Sequence, residues 1–264
     1  MAFNLDSITS GTRLRPPRII LLGVEKIGKS TFAAGSDRPI FIPIKGEEGI
    51  DSISVPQFPT CRTVQDIEQC FTVLYNDKHD YGTAVIDSAS ALEPLIWADV
   101  CKTQGNVDSI EKVGGGYAKG YSEAIYYWRR ITEALDALRN ERNMASILIG
   151  HVNVRRFDDP CAGGYDQYHF DIQDGKSCSA VNTLFRWADV ILFCNTKVVA
   201  KEVAKDFGKV KSLGIDISGG QRFLYTQKQP SHPGGGRGVF GQLPYELPLN
   251  WNNFMDAVSA ASNK

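Results

Sequence analysis

The sequence predicts a single α/β domain with a mostly parallel β-sheet and helices on both of its faces. Short apolar segments of strand length alternate with segments whose apolar residues recur at helical spacing. This alternation is typical of parallel strands that are joined by helices. Two segments toward the C-terminus, near residues 198–203 and 222–226, follow one another without a helix and predict antiparallel strands. At 264 residues, the chain is within the range of one domain with insertions.

Composition and charge exclude several classes of protein. With 42% hydrophobic and 22% charged residues, the chain has the ordinary composition of a globular protein. Its formal net charge of −1 excludes a protein that coats nucleic acid through overall basicity, although local basic loops are compatible with it. No apolar stretch is long enough to span a bilayer, so we expect no membrane partner and a cytoplasmic location.

The chain contains six cysteines, and none of them belongs to a C-x-x-C pair. No signal peptide precedes them, so we expect free thiols in a reducing compartment. A zinc site built from His151, Cys161, His169 and Cys178 is a minor alternative, because their spacing matches no common ligand pattern.

The elements of the domain are expected to begin after a polar arm, residues 1–17, which ends in two prolines. In order, we predict a strand at 18–22, a short helix at 30–34, a strand at 40–44, a helix at 64–75, a strand at 83–87 and a helix at 89–103. A glycine-rich polar loop at 105–120 leads into a strongly periodic helix. Then follow a strand at 146–150, a long loop at 152–175, a helix at 177–188, a strand at 190–193, the two antiparallel strands and a final amphipathic helix.

The most specific motif follows the first predicted strand. Residues 23–30 fit the phosphate-loop pattern G-x-x-x-x-G-K-[ST], in which backbone N–H groups surround phosphate oxygens. Lys29 would neutralise the outer phosphates, and the Ser30 hydroxyl would hold a magnesium ion. The expected nucleotide-binding residues are Gly23, Val24, Glu25, Lys26, Ile27, Gly28, Lys29, Ser30 and Thr31.

A second motif is the apolar strand that ends in Asp87 and has the form of a Walker B element. Such an aspartate orders water bound to magnesium, although it could instead cap the following helix. The next residue is Ser88, whereas proteins of the AAA+ type usually place a water-activating glutamate at this position. We therefore expect the general base to come from the end of another strand.

Carboxylates just beyond the second strand are the obvious candidates for this base. We expect Glu47 to activate the attacking water, with Glu48 as second choice, although either could belong to a solvated acidic turn. His151 follows the strand at 146–150, where a polar side chain can sense the terminal phosphate or simply cap the strand.

The order of these motifs resembles the RecA-type ATPase core, and within it the phage-encoded RecA-like P-loop ATPases that include single-strand-annealing proteins. The resemblance extends over most of residues 18–255. It rests on residues 23–31, 47–51, 85–88, 116–121, 149–151, 186–189, 243–244 and 247–249. It implies a RecA-like P-loop NTPase core that uses ATP and Mg²⁺ as an oligomer in phage recombination or replication.

The resemblance also implies a partner, single-stranded DNA, and possibly a single-stranded-DNA-binding protein. The loops at 105–120 and 152–175 correspond to the two DNA-contacting loops of RecA-type proteins, although either could be a polar lid over the nucleotide. They combine basic groups with aromatic faces that can stack on bases. The residues concerned are Tyr117, Lys119 and Tyr121 in the first loop, and Arg155, Arg156, Tyr165 and Tyr168 in the second.

RecA-type ATPases commonly complete their site with a cation from the adjacent subunit. Similar phage proteins carry a basic pair before a C-terminal Leu-Pro element, and here only Arg237 fits that position, with Lys228 as the competing candidate. Two other functions stay open: a binding or loader module that ATP switches with negligible turnover, and a small-molecule phosphotransferase. Against the phosphotransferase, the sequence shows no arginine-rich lid segment of the kind that clamps a second phosphorylated substrate.

Overall fold

A computed structural model describes residues 15–47, 49–159, 161, 163–206 and 209–263 of the chain. The predicted N-terminal arm lies largely outside the described residues. The strands are β1 (Arg18–Gly23), β2 (Pro39–Pro43), β3 (Thr83–Asp87), β4 (Ala145–Gly150), β5 (Val152–Asp159), β6 (Gly163–Phe170), β7 (Val190–Asn195), β8 (Val198–Asp206), β9 (Lys209–Asp216), β10 (Phe223–Tyr225), β11 (Gly235–Gly236) and β12 (Glu246–Pro248). The helices are α1 (Lys29–Ala34), α2 (Val64–Asn76), α3 (Ala89–Thr103), α4 (Lys119–Glu141), α5 (Ala180–Trp187) and α6 (Trp251–Ser262).

The main sheet has the strand order β12-β10-β7-β1-β4-β3-β2, and β11 also pairs with β7. The five strands from β7 to β2 are parallel, whereas β10, β11 and β12 are antiparallel. This arrangement confirms the predicted fold class, including the antiparallel strands toward the C-terminus. It is the arrangement of a P-loop NTPase core.

Helices cover both faces of the sheet, as the near-continuous apolar strands require. On β1, Ile20 and Leu22 belong to the core beneath α2, α3, α4 and α5. The alternate residues, Ile19 and Leu21, belong to the opposite core, which α1 and α6 cover and which includes Phe254. Because successive strand residues face opposite sides, each central strand contributes to both cores.

The segment 152–175 is not the long loop that the sequence predicts, because most of it forms an antiparallel hairpin of β5 and β6. These two strands pair only with each other, outside the main sheet. Most of their side chains are therefore at least partly exposed. A strand with both faces near water needs no alternation of apolar residues, so its sequence resembles a loop. The strand β9 is also absent from the predicted elements, and it pairs with β8 in a second hairpin outside the main sheet.

Both ends of the β5–β6 hairpin are attached to the first turns of α3. At the entry, the backbone N–H of His151 donates to Ser90 Oγ at 3.0 Å. At the exit, the backbone N–H of Gln173 donates to both oxygens of Glu93 at 2.9 Å. Glu93 is only 5% exposed, and this burial raises the pKa of its carboxyl to about 7 despite the opposing hydrogen bond from Gln173.

Among the described residues, no helix is both long and apolar enough to cross a membrane. The described residues also contain no cluster of three or more His, Cys, Asp or Glu side chains that could hold a metal ion. The alternative zinc site is therefore wrong, because His151, Cys161, His169 and Cys178 do not come together in the fold.

The raised pKa of Glu93 predicts a pH dependence of stability. The folded protein binds more protons than the unfolded chain between pH 4.5 and about 7, so its free energy of unfolding should fall as the pH rises through this range. The shift corresponds to about 3 kcal/mol. Urea unfolding at several pH values should show this slope in the wild type and not in Glu93→Gln. Glu123→Gln, at an exposed position of α4, should keep it, and equal slopes in all three proteins would contradict the prediction.

Candidate nucleotide-binding site

The phosphate-loop motif connects β1 to α1, between the neighbouring strands β4 and β7. Glycines are required at two of its positions. A Cβ on Gly23 would lie 2.6 Å from the carbonyl oxygen of Cys194 on β7. Gly28 has a φ of +103°, and a Cβ there would lie 2.7 Å from Nη1 of Arg222. The glycines therefore let the loop curl tightly between two strands.

Lys29 is the first residue of α1 and is only 6% exposed. Its Nζ donates to the carbonyl oxygens of Gly23 and Val24, at 2.9 Å in each case. Burial lowers the pKa of this ammonium group, while the nearby charges of Asp87 and Glu47 oppose the shift. The ammonium group thus spans the mouth of the loop, within the field of two carboxylates.

Ser30 and Asp87 meet across the end of the sheet. The Ser30 hydroxyl donates to Asp87 Oδ2 at 2.6 Å. Asp87 is only 4% exposed, and burial raises the pKa of its carboxyl, although the bond from Ser30 counteracts this. A hydroxyl and a carboxylate are oxygen ligands of the kind that Mg²⁺ prefers, and a cation would compensate the buried charge. These residues therefore fit the predicted magnesium site.

Glu47 reaches this cluster through a tight turn after β2. The backbone N–H of Glu47 donates to the carbonyl of Ile44 at 3.1 Å, and Gly46 within the turn has a φ of +101°. The Ile44 N–H in turn donates to the carbonyl of Asp87 at 2.9 Å. The turn therefore continues the pairing of β2 with β3 and returns Glu47 toward the end of β3.

Two side chains hold the Glu47 carboxylate from neighbouring strand ends. Ser88 Oγ donates to Glu47 Oε1 at 2.6 Å, and His151 Nε2 donates to the same oxygen at 2.7 Å. Burial opposes ionisation, but the bonds from His151 and Ser88 outweigh it and hold the pKa of Glu47 below its ordinary value. Within the described part of the chain, Oε2 of Glu47 has no hydrogen-bond partner. An ionised carboxylate with one free oxygen can orient a water molecule.

His151 lies directly after β4, and two hydrogen bonds hold it there. Its backbone is fixed by Ser90, and its ring is fixed by Glu47. The other ring nitrogen, Nδ1, is buried without a hydrogen-bond partner among the described residues. A change in the position of Glu47 would therefore act directly on the first residue before the β5–β6 hairpin.

The structure thus brings together Lys29, Ser30, Glu47, Asp87 and His151, while their chemical roles stay predictions. The second choice for the base, Glu48, lies outside the described residues. The two candidate trans-acting cations lie elsewhere and are described next.

Arg237 lies near the start of β7, at the end of the parallel strands opposite to the phosphate loop. It follows β11, which pairs with Val190 and Ile191, and its side chain donates to the carbonyl of Arg186. Lys228 lies in the exposed segment after β10. Of the two, Lys228 is the cation that no described hydrogen bond or ion pair engages.

The first predicted DNA loop is partly helical. Lys119 and Tyr121 belong to α4. Gly120 between them lets the first turn of this helix approach the Ile110 carbonyl, because a Cβ there would lie 2.1 Å away. Lys119 Nζ donates to the Gly114 carbonyl at 2.9 Å, and Tyr121 packs edge-on against Trp97. Tyr117 is 98% exposed and Lys119 is exposed although its ammonium group is engaged by Gly114, whereas Tyr121 is partly buried.

The second predicted DNA loop is the β5–β6 hairpin. Arg155 and Arg156 are exposed on β5, and Arg156 lies 3.7 Å from Asp166 on the facing strand. Tyr165 is partly exposed, and its ring lies 5.5 Å from that of Phe157. Tyr168 instead packs against the core residue Phe193 of β7. The outer part of the hairpin therefore presents basic and aromatic groups, and Tyr168 anchors its inner part.

Sequence reasoning missed two contacts of the site. Ser88 was noted only as the residue that replaces a glutamate, whereas it donates to the Glu47 carboxylate. Arg222 had no assigned role, yet its Nη1 donates to the Ile27 carbonyl of the phosphate loop at 3.2 Å. No local pattern signals Arg222, because it lies 195 residues from Ile27.

The chain matches a family model described as an AAA domain over residues 15–238. The matched segment contains the phosphate loop, Asp87, His151 and both hairpins, and it ends before β12 and α6. No curated protein sequence matches the chain.

The contacts of Lys29 predict a loss of nucleotide affinity in Lys29→Ala. Removal of a charge-assisted contact to phosphate should weaken ATP binding by about 2–3 kcal/mol, or roughly 30- to 150-fold. Isothermal titration calorimetry would measure this change. Lys78→Ala, at an exposed lysine between α2 and β3, should bind ATP like the wild type. Unchanged affinity in Lys29→Ala would contradict the assignment of the loop.

Proposed function

Because this chain belongs to the AAA-domain family, we propose that it is a magnesium-dependent ATPase with a RecA-like core that acts on single-stranded DNA. The family match supports a P-loop nucleotide-binding domain, and the geometry supports hydrolysis. The observation that carries the proposal is the position of Glu47. Its carboxylate is held by Ser88 and His151 within the field of Lys29, beside the pair of Ser30 and Asp87.

Each residue of the site has a separate role in the proposed hydrolysis. Lys29 draws the terminal phosphates to the loop, and Ser30 and Asp87 would hold Mg²⁺, which supplies positive charge to those phosphates. Glu47 orients a water molecule and accepts its proton at Oε2 while the water oxygen bonds to the γ-phosphorus. The bond between this phosphorus and the bridging oxygen breaks, so ADP and inorganic phosphate leave.

The source of the base favours a RecA-like arrangement over one in which the base follows Asp87 directly. Ser88 occupies that position, and its short hydroxyl side chain cannot take up a proton as a carboxylate does. Instead it donates its hydroxyl hydrogen to Glu47, which comes from the end of a different strand. The serine therefore positions the base.

Coupling to DNA is supported by how the β5–β6 hairpin is attached. Its entry is bonded to Ser90 and its exit to Glu93, and both residues lie in the helix that begins directly after Asp87 and Ser88. His151 connects the entry to Glu47. We propose that a change at the terminal phosphate moves the hairpin, whose exposed arginines meet DNA phosphates during phage recombination or replication.

A homo-oligomer is supported by the shortage of cations at the site. Within the described residues, no arginine or lysine forms a hydrogen bond or ion pair with Glu47 or Asp87. Charge developing on the transferred phosphoryl group would be met by Lys29 and the metal alone, so a cation from an adjacent copy is proposed to complete the site. Lys228, which is exposed, suits this role better than the engaged Arg237.

Glu47→Gln should bind ATP with wild-type affinity and hydrolyse it at least about 100-fold more slowly, because the amide cannot accept the proton. Steady-state phosphate release with and without single-stranded DNA, together with calorimetry, would test this. Glu141→Gln, at an exposed position at the end of α4, should keep full activity. Full turnover in Glu47→Gln would move the role to another carboxylate such as Glu48. ATP-dependent DNA affinity without turnover in the wild type would favour the ATP-switched module.

Charge reversal of the hairpin, in the double variant Arg155→Glu and Arg156→Glu, should weaken binding to single-stranded DNA and reduce its salt dependence. Fluorescence anisotropy with a labelled oligonucleotide at several salt concentrations would measure both. The variant should keep its affinity for ATP. The matched pair Lys78→Glu and Arg129→Glu makes the same charge change at exposed positions elsewhere, and equal weakening in both double variants would contradict a specific role for the hairpin.

A further inference from the structure

A pocket of about 120 Å³ lies beside the phosphate loop, on the side away from the catalytic cluster. One wall is formed by Gly28 and Thr31, from the phosphate loop and α1, and by Arg222, which directly precedes β10. The other wall includes residues at the start of α6 and just before it, namely Leu249, Trp251 and Asn252. None of these side chains has a part in the hydrolysis described above. The pocket is therefore available for a part of the ligand other than its terminal phosphate.

The strand order determines which end of a nucleotide this pocket can meet. Glu47, Asp87 and His151 follow β2, β3 and β4, which lie on one side of β1. Arg222 and Trp251 belong to β10 and β12 connections, on the other side of β1. A triphosphate whose outer phosphate lies near Glu47 and whose inner phosphates follow the loop must extend its nucleoside toward the second side.

Arg222 is suited to bind such a nucleoside. Its Nη1 donates to the Ile27 carbonyl, so the guanidinium plane is held against the loop, where Gly28 has no side chain to displace it. Within the described residues, the Arg222 guanidinium has no carboxylate partner and no hydrogen bond besides the one to Ile27, while the Arg222 backbone carbonyl accepts from the Leu249 N–H at 2.9 Å. Most of its five N–H donors therefore stay available for ribose or base, and its planar face is free to stack on a ring.

The opposite wall combines apolar and amide groups. Trp251 is partly exposed and held by an edge contact with Phe32, whose ring centroid lies 5.4 Å away. Leu249 adds an aliphatic surface, and Asn252 is exposed at the rim. Such an amide can both donate to and accept from the edge of an adenine ring. The lining thus combines apolar surface with a few polar groups, as the lining of small-molecule sites does.

We propose that this pocket binds the adenosine part of ATP and that Arg222 is its principal binding residue. This inference rests on the proposed function, because it places the phosphates in the loop at residues 23–30. It adds how the protein distinguishes a nucleoside triphosphate from a phosphate chain alone, and which residues set the preference for a base.

The test compares two ligands, ATP and inorganic tripolyphosphate, by calorimetry. Arg222→Ala should bind ATP at least about tenfold more weakly and bind tripolyphosphate within about twofold of the wild type, because only the nucleoside contacts are lost. Asn252→Ala should weaken ATP binding by roughly fivefold with the same indifference to tripolyphosphate. Its small change at an exposed position gives a second measurement that does not depend on the contact between Arg222 and the loop. Lys29→Ala should weaken the binding of both ligands.

Trp251 provides an independent readout. ATP should change the tryptophan fluorescence of the wild type, whereas tripolyphosphate should not, and Trp251→Phe should lose most of the ATP-dependent change. Arg129→Ala, at an exposed arginine of α4 outside the pocket, should match the wild type in every measurement. A weaker preference for ATP over GTP in Asn252→Ala would further support recognition of the adenine edge.

The outcomes separate this inference from the proposed function. If Lys29→Ala loses both ligands while Arg222→Ala and Asn252→Ala bind ATP normally, the nucleoside pocket is overturned and the phosphate site stands. Equal weakening of ATP and tripolyphosphate in Arg222→Ala would also overturn it, since the arginine would then act on phosphates. A wild-type protein that binds neither ligand would overturn the proposed function and the pocket with it.

Discussion

Parallel alignment of the central strands is the constraint on which the site depends. The register pairs Asp87 with Ile149, and Gly23 with Cys194, so the carboxyl ends of neighbouring strands finish at nearly the same level. Parallel strands require crossover helices, and these helices supply the apolar cover for both faces of the sheet. Short turns at the strand ends can then place polar groups next to one another without breaking either core. The gathering of Lys29, Ser30, Glu47, Asp87 and His151 is a consequence of this alignment.

Burial gives the cluster its electrostatic character. Asp87 and Lys29 are both nearly inaccessible to water. Burial raises the pKa of Asp87 and lowers the pKa of Lys29, so in both cases it favours the neutral form. Glu47 is less buried, and the hydrogen bonds from His151 and Ser88 shift its pKa the other way. Two carboxylates close together thus have opposite tendencies. Glu47, which ionises more easily, is proposed as the base. Asp87 is more deeply buried, so its charged form needs a cation nearby, and the neighbouring Ser30 offers that cation a further oxygen ligand.

The helix α3 connects the end of β3, which carries Asp87, to the β5–β6 hairpin. It begins after Asp87 with Ser88 as its N-terminal cap, and its first two turns hold both ends of the β5–β6 hairpin. A helix is stiff over this distance, so the hairpin and the catalytic cluster share one rigid support. The adenosine pocket proposed beside α6 is attached to the opposite side of the phosphate loop. Nucleoside binding and partner binding would therefore lie on different sides of the phosphate loop.

The sequence by itself determined the fold class, nearly all of the central strands and the place of the phosphate-loop motif between the first strand and the first helix, because these depend on apolar periodicity and on spacing within a few residues. It also placed Glu47 and Asp87 at strand ends. Only the tertiary structure decided the partners of Glu47, which lie 41 and 104 residues away, and the contact of Arg222 with Ile27 across 195 residues. It also turned an expected loop into the β5–β6 hairpin. The physical reason is the same in each case: a hydrogen bond between distant segments, or a strand pair exposed to water on both faces, leaves no periodic signal in the sequence.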